Sequence, residues 1–345
     1  MKKRRILITS ALPYANSNQH LGNVAGAYLP ADIYARYQRL KGNEVLYICG
    51  SDEHGVPVTI SAMNEKTTPK TIIDKYHFEN KEAFEKLGIS FDNYSRTSAP
   101  IHHKTAQEFF LDLYQKGILK EKIDKQLFCV KDNMFLPDRY VEGECPFCGN
   151  QDARGDQCEK CGNILTPDTI KNPKCKICGS VPEVRQTKHL FFPFGDFQKK
   201  LEEYVFGKKD WKDNVIQYCQ SWFKAGLEDR AVTRDMEWGI KVPVEGYENK
   251  VIYVWIEAVL GYVSATKEWA INTGQPEKWK EYWCDDETEY FAFIGKDNIV
   301  FHCIIMPAMF MAKGGYVLPK NVPANEFFNF EGKKFSKSRN WGITL

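Results

Sequence analysis

The chain has 345 residues, with 47 Lys and Arg against 45 Asp and Glu, a net charge of +2 and 43% hydrophobic residues. That length can bury a large core, most simply in two domains, and the charge balance excludes a strongly basic nucleic-acid wrapper while leaving room for a local phosphate-binding patch. No apolar run approaches the roughly 18 residues of a membrane span. The basic start, Met1 to Arg5, precedes an apolar run too short for a signal peptide and reads as a solvated lead-in.

In chain order, Ile6, Leu7 and Ile8 read as a buried parallel strand, and an apolar-periodic segment over 21–40 reads as a helix. Pro30 inside it removes a backbone donor and predicts a kink or two abutting pieces. Between strand and helix lies His20-Leu21-Gly22-Asn23. A helix N-terminus carries unpaired N–H groups and partial positive charge, which suits phosphate. Gly22 would admit a close backbone approach, and His20 would donate to charge that grows in the transition state. Alone, the tetrad fits a turn histidine as well. Gly42 marks a helix stop, 44–48 a second strand, and 49–55 the loop at its C-terminal end, where open parallel sheets bind ligands. Asp52 there is placed either to meet an ammonium group or to cap a turn. Pro69 and Pro100 open two further helices, ending near Gly88 and Gly117. Phe109, Phe110, Leu113 and Tyr114 in the second of these read as core.

From about 120 to 185 the composition shifts to Cys, Gly, Asp and Lys with too little apolar surface to hold a fold unaided. Cys145, Cys148, Cys158 and Cys161 stand in a C-x2-C-x9-C-x2-C spacing that suits a closed, structural tetrahedral zinc site. Cys175 and Cys178 form a further pair, with Cys129 and Asp132 as the only available counterpart, so a second metal site there stays open. Eleven cysteines used in this way point to metal rather than disulfides and to a reducing, cytoplasmic setting. Past the insertion, 251–255 reads as a strand running into a helix through 266. Trp255, Ala258 and Tyr262 share one face of it, as core or as a pocket wall. A strand over 290–294 leads to Gly295-Lys296-Asp297 and a helix over 298–311. Asp297 could accept hydrogen bonds from ribose hydroxyls. The polar tail, unstructured by pattern, carries Lys333-Lys334-Phe335-Ser336-Lys337-Ser338, whose lysines could donate to a migrating pyrophosphate.

His20-Leu21-Gly22-Asn23 with Lys334-Phe335-Ser336-Lys337-Ser338 resembles the paired signatures of class I aminoacyl-tRNA synthetases. Ala11-Leu12-Pro13-Tyr14, Cys49 to Gly55, Tyr253-Val254-Trp255 and Gly295-Lys296-Asp297 are similar to the methionyl-tRNA synthetases in particular. The resemblance implies an α/β fold: a Rossmann-like parallel-sheet catalytic domain in two halves, 1–118 and 233–332. Between them an inserted connective domain over 119–232 carries the zinc knuckle, at about 129–180, and 333–345 is the loop and chain end. It implies ligase activity: methionine and ATP, with Mg2+, give methionyl-adenylate, which then acylates tRNA(Met). His20, Asn23, Lys334 and Lys337 would be catalytic, with Gly22, Gly295, Lys296, Asp297, Ser336 and Ser338 also holding the nucleotide. Ala11, Leu12, Tyr14, Asp52, Trp255, Ala258, Tyr262, Asn298, Phe301 and His302 would form the methionine pocket. Asn23 departs from the commoner second histidine but can still donate to phosphate. The helical anticodon-binding domain that members carry next is not in this sequence, which implies a catalytic part, a monomer, and adenylation without efficient tRNA charging. Synthetases for leucine, isoleucine or valine share both signatures but carry a larger editing insertion. Two other readings are a small nucleotidyltransferase and a zinc-ribbon nucleic-acid module with an inactive body.

Overall fold

The computed structural model describes residues 3–155, 158, 160, 161, 163, 165, 169–334 and 342–345, except the side chains of 138, 330, 333 and 334. At its centre is strand Arg5–Ser10, whose Ile6, Leu7 and Ile8 are fully buried, as an unbroken apolar run covered on both faces requires. It pairs in parallel with Thr288–Gly295 on one side and Glu44–Ser51 on the other, Ile8 lying beside Phe291 and Tyr47. Asn93–Arg96 and Ala324–Asn325 complete a five-stranded sheet, both added in parallel at opposite edges. The chain leaves the central strand toward Glu44–Ser51 and returns on its other flank as Thr288–Gly295. This reversal of strand order opens a crevice at the C-terminal ends of the two central strands.

The second strand runs to Ser51, three residues past the predicted 44–48, so the loop is shorter than expected. The helix predicted over 21–40 is broken as Pro30 requires. A single α-turn, Leu21–Asn23, opens into a π-turn, Val24–Tyr28, before α-helix Leu29–Leu40. Proline cannot satisfy the Gly26 carbonyl, which instead accepts from Asn325 Nδ2 at 2.7 Å. Phe301–Ile305 is likewise a π-turn preceding Pro307, so both helices that face the crevice are widened beside it. The helices opened by Pro69 and Pro100 are present as Pro69–Lys86 and Pro100–Gln115. Phe109, Phe110 and Leu113 are core, but Tyr114 is 40% exposed, because the helix turns that face outward near its end.

The segment predicted to lack a core has a small one. Leu127, Leu136, Tyr140, Val141 and Ile170 pack with Cys129, Cys145, Cys158 and Cys175, and the cluster continues onto Val56 of helix Val56–Asn64. A long antiparallel hairpin, Lys120–Cys129 with Glu183–Phe192, carries it, and Val141–Glu144 pairs with Ala153–Arg154 and Lys171–Cys175 in a smaller sheet. Helices Val56–Asn64, Gln198–Phe206 and Asp213–Ala225 were not anticipated. The strand expected at 251–255 is only Val251–Ile252, paired with Thr233–Arg234 outside the main sheet. The following turns are α over Val254–Glu257, 3-10 over Ala258–Leu260, and α over Gly261–Asn272, beyond the predicted end at 266. No helix among the described residues is long and apolar enough to cross a membrane.

Candidate active site

The crevice is a cleft of about 850 Å³. Its floor is the loop after the central strand. Ala11 is fixed by the Tyr28 hydroxyl, which donates to its carbonyl at 3.0 Å. Pro13 and Ala15 bracket Asp52, whose N–H donates to the Pro13 carbonyl and whose carbonyl accepts from the Ala15 N–H, both at 2.8 Å. Ala11, Leu12, Tyr14 and Asp52 all line the cleft.

Asp52 is 5% exposed, and its Oδ1 has no hydrogen-bond partner among the described residues. Burial first, then the nearby Glu257 charge, push its carboxyl well above the usual carboxylate range. A buried carboxyl in that state is short of a cation. Facing it are Trp255, Ala258, Tyr262, Asn298, Phe301 and His302, which also line the cleft. Trp255 and Phe301 meet edge to face at 4.7 Å between ring centroids. His302 Nδ1 lies 2.9 Å from the Asn298 carbonyl and Nε2 lies 2.8 Å from the Tyr262 hydroxyl. A carbonyl can only accept, so Nδ1 carries the proton and Tyr262 donates to Nε2. Burial brings His302 down to about 4, so this neutral tautomer holds at ordinary pH. The result is a rigid, mainly aromatic wall opposite one carboxyl group.

At the other end, His20 caps the first helical turn. Its Nδ1 accepts from the Asn23 N–H and its own N–H donates to Asn23 Oδ1, both at 3.1 Å. That occupies Nδ1 as an acceptor and places the ring proton of the neutral imidazole on Nε2. Asn23 therefore spends its side chain on His20. A Cβ at Gly22 would sit 3.2 Å from the His20 ring and 3.3 Å from Phe328 Cβ, so any side chain there would press both neighbours back by a few tenths of an ångström. His20, Gly22, Asn23, Gly295 and Asp297 line the cleft, whereas the Lys296 ammonium pairs with Glu326 at 2.9 Å and Lys296 does not line it. Part of the tail expected to be unstructured is ordered. Lys333–Lys334 pairs with Asn329–Phe330, and after 335–341 the chain returns so that Thr344 pairs with His20. Ser336, Lys337, Ser338 and the Lys334 side chain lie outside the described residues.

The chain matches the family model of class I tRNA synthetases (M) over residues 6–345. It is 57% identical to the methionine--tRNA ligase of Chloroherpeton thalassium and 55% identical to that of Pelodictyon phaeoclathratiforme, in each case over 99% of this chain and 50% of the relative. The chain belongs to the methionine group of class I tRNA synthetases. It spans about half the length of the curated relatives it matches. In fold it is similar to Mycobacterium tuberculosis methionyl-tRNA synthetase bound by methionyl-adenylate, with a TM-score of 0.73 at 23% identity, covering 99% of this chain and 61% of that one.

In this class I synthetase chain seven of the eleven cysteines, with Asp132, form two groups, each with its ligand atoms within 4.8 Å of one another. Around Cys145, Cys148, Cys158 and Cys161, the Cys145–Cys161 and Cys148–Cys158 sulfur pairs are 3.8 and 3.7 Å apart. A tetrahedron with zinc–sulfur arms of about 2.3 Å has edges of about 3.8 Å, so this group fits zinc. Around Cys129, Asp132, Cys175 and Cys178, Asp132 Oδ2 is 3.1 Å from both Cys129 and Cys175 Sγ. That is shorter than the roughly 3.6 Å edge that zinc–sulfur and zinc–oxygen arms would set, and matches thiols donating to a carboxylate. Arg139, Arg154 and Lys176 of this insertion also line the cleft, Lys176 being paired with Glu142. Sequence reasoning missed them, along with Tyr218, Asn325, Phe327 and Phe328. Nothing in their local pattern marks them: the fold of the insertion brings Arg139, Arg154, Lys176 and Tyr218 to the cleft, and the edge strand Ala324–Asn325 leads Asn325, Phe327 and Phe328 there.

Proposed function

We propose that this chain is the catalytic part of a methionine--tRNA ligase, with residues 1–118 and 233–332 as the adenylating body and 119–232 as the connective insertion. The observation that carries this reading is the buried Asp52 carboxyl, with an unpartnered oxygen, facing the aromatic wall of Trp255, Phe301 and Tyr262. Asp52 pairs with the methionine ammonium. The thioether lies against the aromatic wall, where such contacts are worth up to about 1.5 kcal/mol. The neutral His302–Tyr262 pair gives that wall one fixed shape.

ATP, with Mg2+, occupies the end formed by His20, Gly22, Asn23, Gly295 and Asp297, and Asp297 accepts from its ribose hydroxyls. The methionine carboxylate attacks the α-phosphorus, the bond to the bridging oxygen breaks, and pyrophosphate leaves. The substrate supplies the nucleophile, so the protein contributes positioning and charge stabilisation. His20 Nε2–H and the Lys334 and Lys337 ammonium groups donate to the charge that develops. In the second half-reaction a terminal ribose hydroxyl of tRNA(Met) attacks the methionyl carbonyl, the bond to the adenylate oxygen breaks and AMP leaves, and Arg139, Arg154 and Lys176 supply positive charge for the tRNA phosphates. Zinc on Cys145, Cys148, Cys158 and Cys161 is structural, and the outer group is a second, weaker zinc candidate. Such thiolate clusters need a reducing compartment, which fits the cytoplasm. ATP–pyrophosphate exchange with a panel of amino acids tests the reading. Methionine alone should support exchange, and equal exchange with leucine, isoleucine or valine would overturn it.

A further inference from the structure

Beneath the cleft lies a buried charged cluster that none of the steps above uses. Glu257 is fully buried, although its neighbours Trp255 and Ala258 line the cleft. Its side chain points inward and accepts from His54 Nδ1 at 2.9 Å and His102 Nε2 at 2.7 Å. His102 Nδ1 lies 2.9 Å from Ser264 Oγ, on the helix that begins at Gly261 and carries Tyr262. His54 stands two residues along the same loop from Asp52, whose own backbone is held to Pro13 and Ala15. One carboxylate thus joins segments about 200 residues apart: the loop that presents Asp52 and the turn that presents Trp255.

We propose that Glu257 is a positioning residue for the ammonium end of the amino-acid pocket, holding the Asp52 loop in register with the Trp255 turn through His54. The inference rests on the reading of the cleft as a methionine site. Three buried carboxyls crowd this region, and their partners are already divided. Glu53 takes Arg96, with Nε at 3.0 and 2.8 Å from its two oxygens, and the Ser51 hydroxyl at 2.7 Å. Glu257 takes both imidazoles. Asp52 is left with an oxygen that has no partner among the described residues. Glu257 thereby keeps His54 from serving as the partner of Asp52 and reserves that carboxyl for a cation arriving with the substrate. Burial pushes Glu257 up, but the two histidines outweigh it and bring it down to about 2, so it stays an ionised acceptor.

The test is a double-mutant cycle in methionine-dependent ATP–pyrophosphate exchange, using this chain with Glu257→Gln, Asp52→Asn and both together. Glutamine keeps the shape, but His54 and His102 sit on different oxygens, so its NH2 would present a donor where one imidazole needs an acceptor. Glu257→Gln should raise the methionine KM about 10-fold, within the range for coupled neighbours, and leave the ATP KM unchanged within about twofold. Added to Asp52→Asn it should cost nothing further, because its effect passes through Asp52. Inhibition by 4-(methylthio)butanoate, which has the side chain but no amino group, should be the same in wild type and Glu257→Gln. Additive losses, or equal loss toward the deaminated compound, would overturn the proposal and make Glu257 a general structural residue. If Glu257→Gln does not fold, His54→Phe cuts only the link to the Asp52 loop. It should raise the methionine KM alike, and an unchanged KM would overturn the proposal. No exchange by the wild-type chain with methionine would instead remove the methionine reading itself.

Discussion

Changing Asp52 to Asn isolates the charge of the cleft carboxyl that has an oxygen without a partner among the described residues. Truncating one member of a buried ion pair costs about 3–5 kcal/mol, chiefly by stranding the other charge. Here the loss falls at the lower end. The free protein already bears a penalty for ionising Asp52, because burial and Glu257 raise its carboxyl well above the ordinary 3.8, and asparagine removes that penalty. About 3 kcal/mol corresponds to roughly 150-fold in the methionine requirement. The same shift fixes a pH signature. Between the ordinary value and the raised one, free Asp52 holds a proton that an incoming ammonium displaces, so methionine affinity should rise with pH through that window and then level off. Calorimetry in buffers of different ionisation enthalpy should record proton release on methionine binding to wild type and none with Asp52→Asn. Steady-state exchange should show the methionine KM raised and the ATP KM little changed. Equal losses toward methionine and ATP, or proton release unaltered by the substitution, would refute the assignment.

Freshly purified, reduced protein should contain zinc. Changing Cys145 and Cys148 to Ser should release it while the far-UV signal of the parallel sheet persists, and metal analysis finding none in the wild type would remove the site. Lys337→Ala should slow adenylation about 10²–10³-fold with a smaller change in ATP affinity, as expected of a donor that acts in the transition state. Single-turnover rates with saturating ATP decide it. Burial holds His302 near 4 against 6.5 unfolded, so the stability its neutral form contributes is present above pH 6.5 and lost as pH falls toward 4. That is worth roughly 3 kcal/mol at most. Urea unfolding at pH 7 and pH 4.5 should show a smaller drop for His302→Gln than for wild type, and equal drops would contradict the buried neutral histidine.

Much of the cleft was legible because its residues sit at the ends of strands with strong local patterns. Ile6, Leu7 and Ile8 announce a buried strand, and the loop after it must lie at the sheet's ligand-binding end. Pro69 and Pro100 mark their helices in one letter. Pro30 announced a break, but the π-turn and the Asn325 donor that relieves it depend on a residue nearly 300 positions away. Long-range pairing explains the other misses. The insertion's core assembles from short apolar stretches around Leu127, Leu136 and Tyr140-Val141, broken by polar residues, with Ile170 thirty positions beyond Tyr140, and none is long enough to announce a core by itself. Arg139, Arg154 and Lys176 reach the cleft only because that core forms. Glu257 is a single acid in an apolar stretch, and its meaning appears only when His54 and His102 fold against it.

The most direct measurement of the central claim is to incubate the chain with methionine and ATP in the presence of pyrophosphatase, pass it through gel filtration, and identify the retained small molecule by mass spectrometry. The account predicts methionyl-adenylate bound to the protein, lost in Asp52→Asn and absent when leucine, isoleucine or valine replaces methionine. Retention of ATP alone, or of another aminoacyl-adenylate at comparable yield, would contradict it.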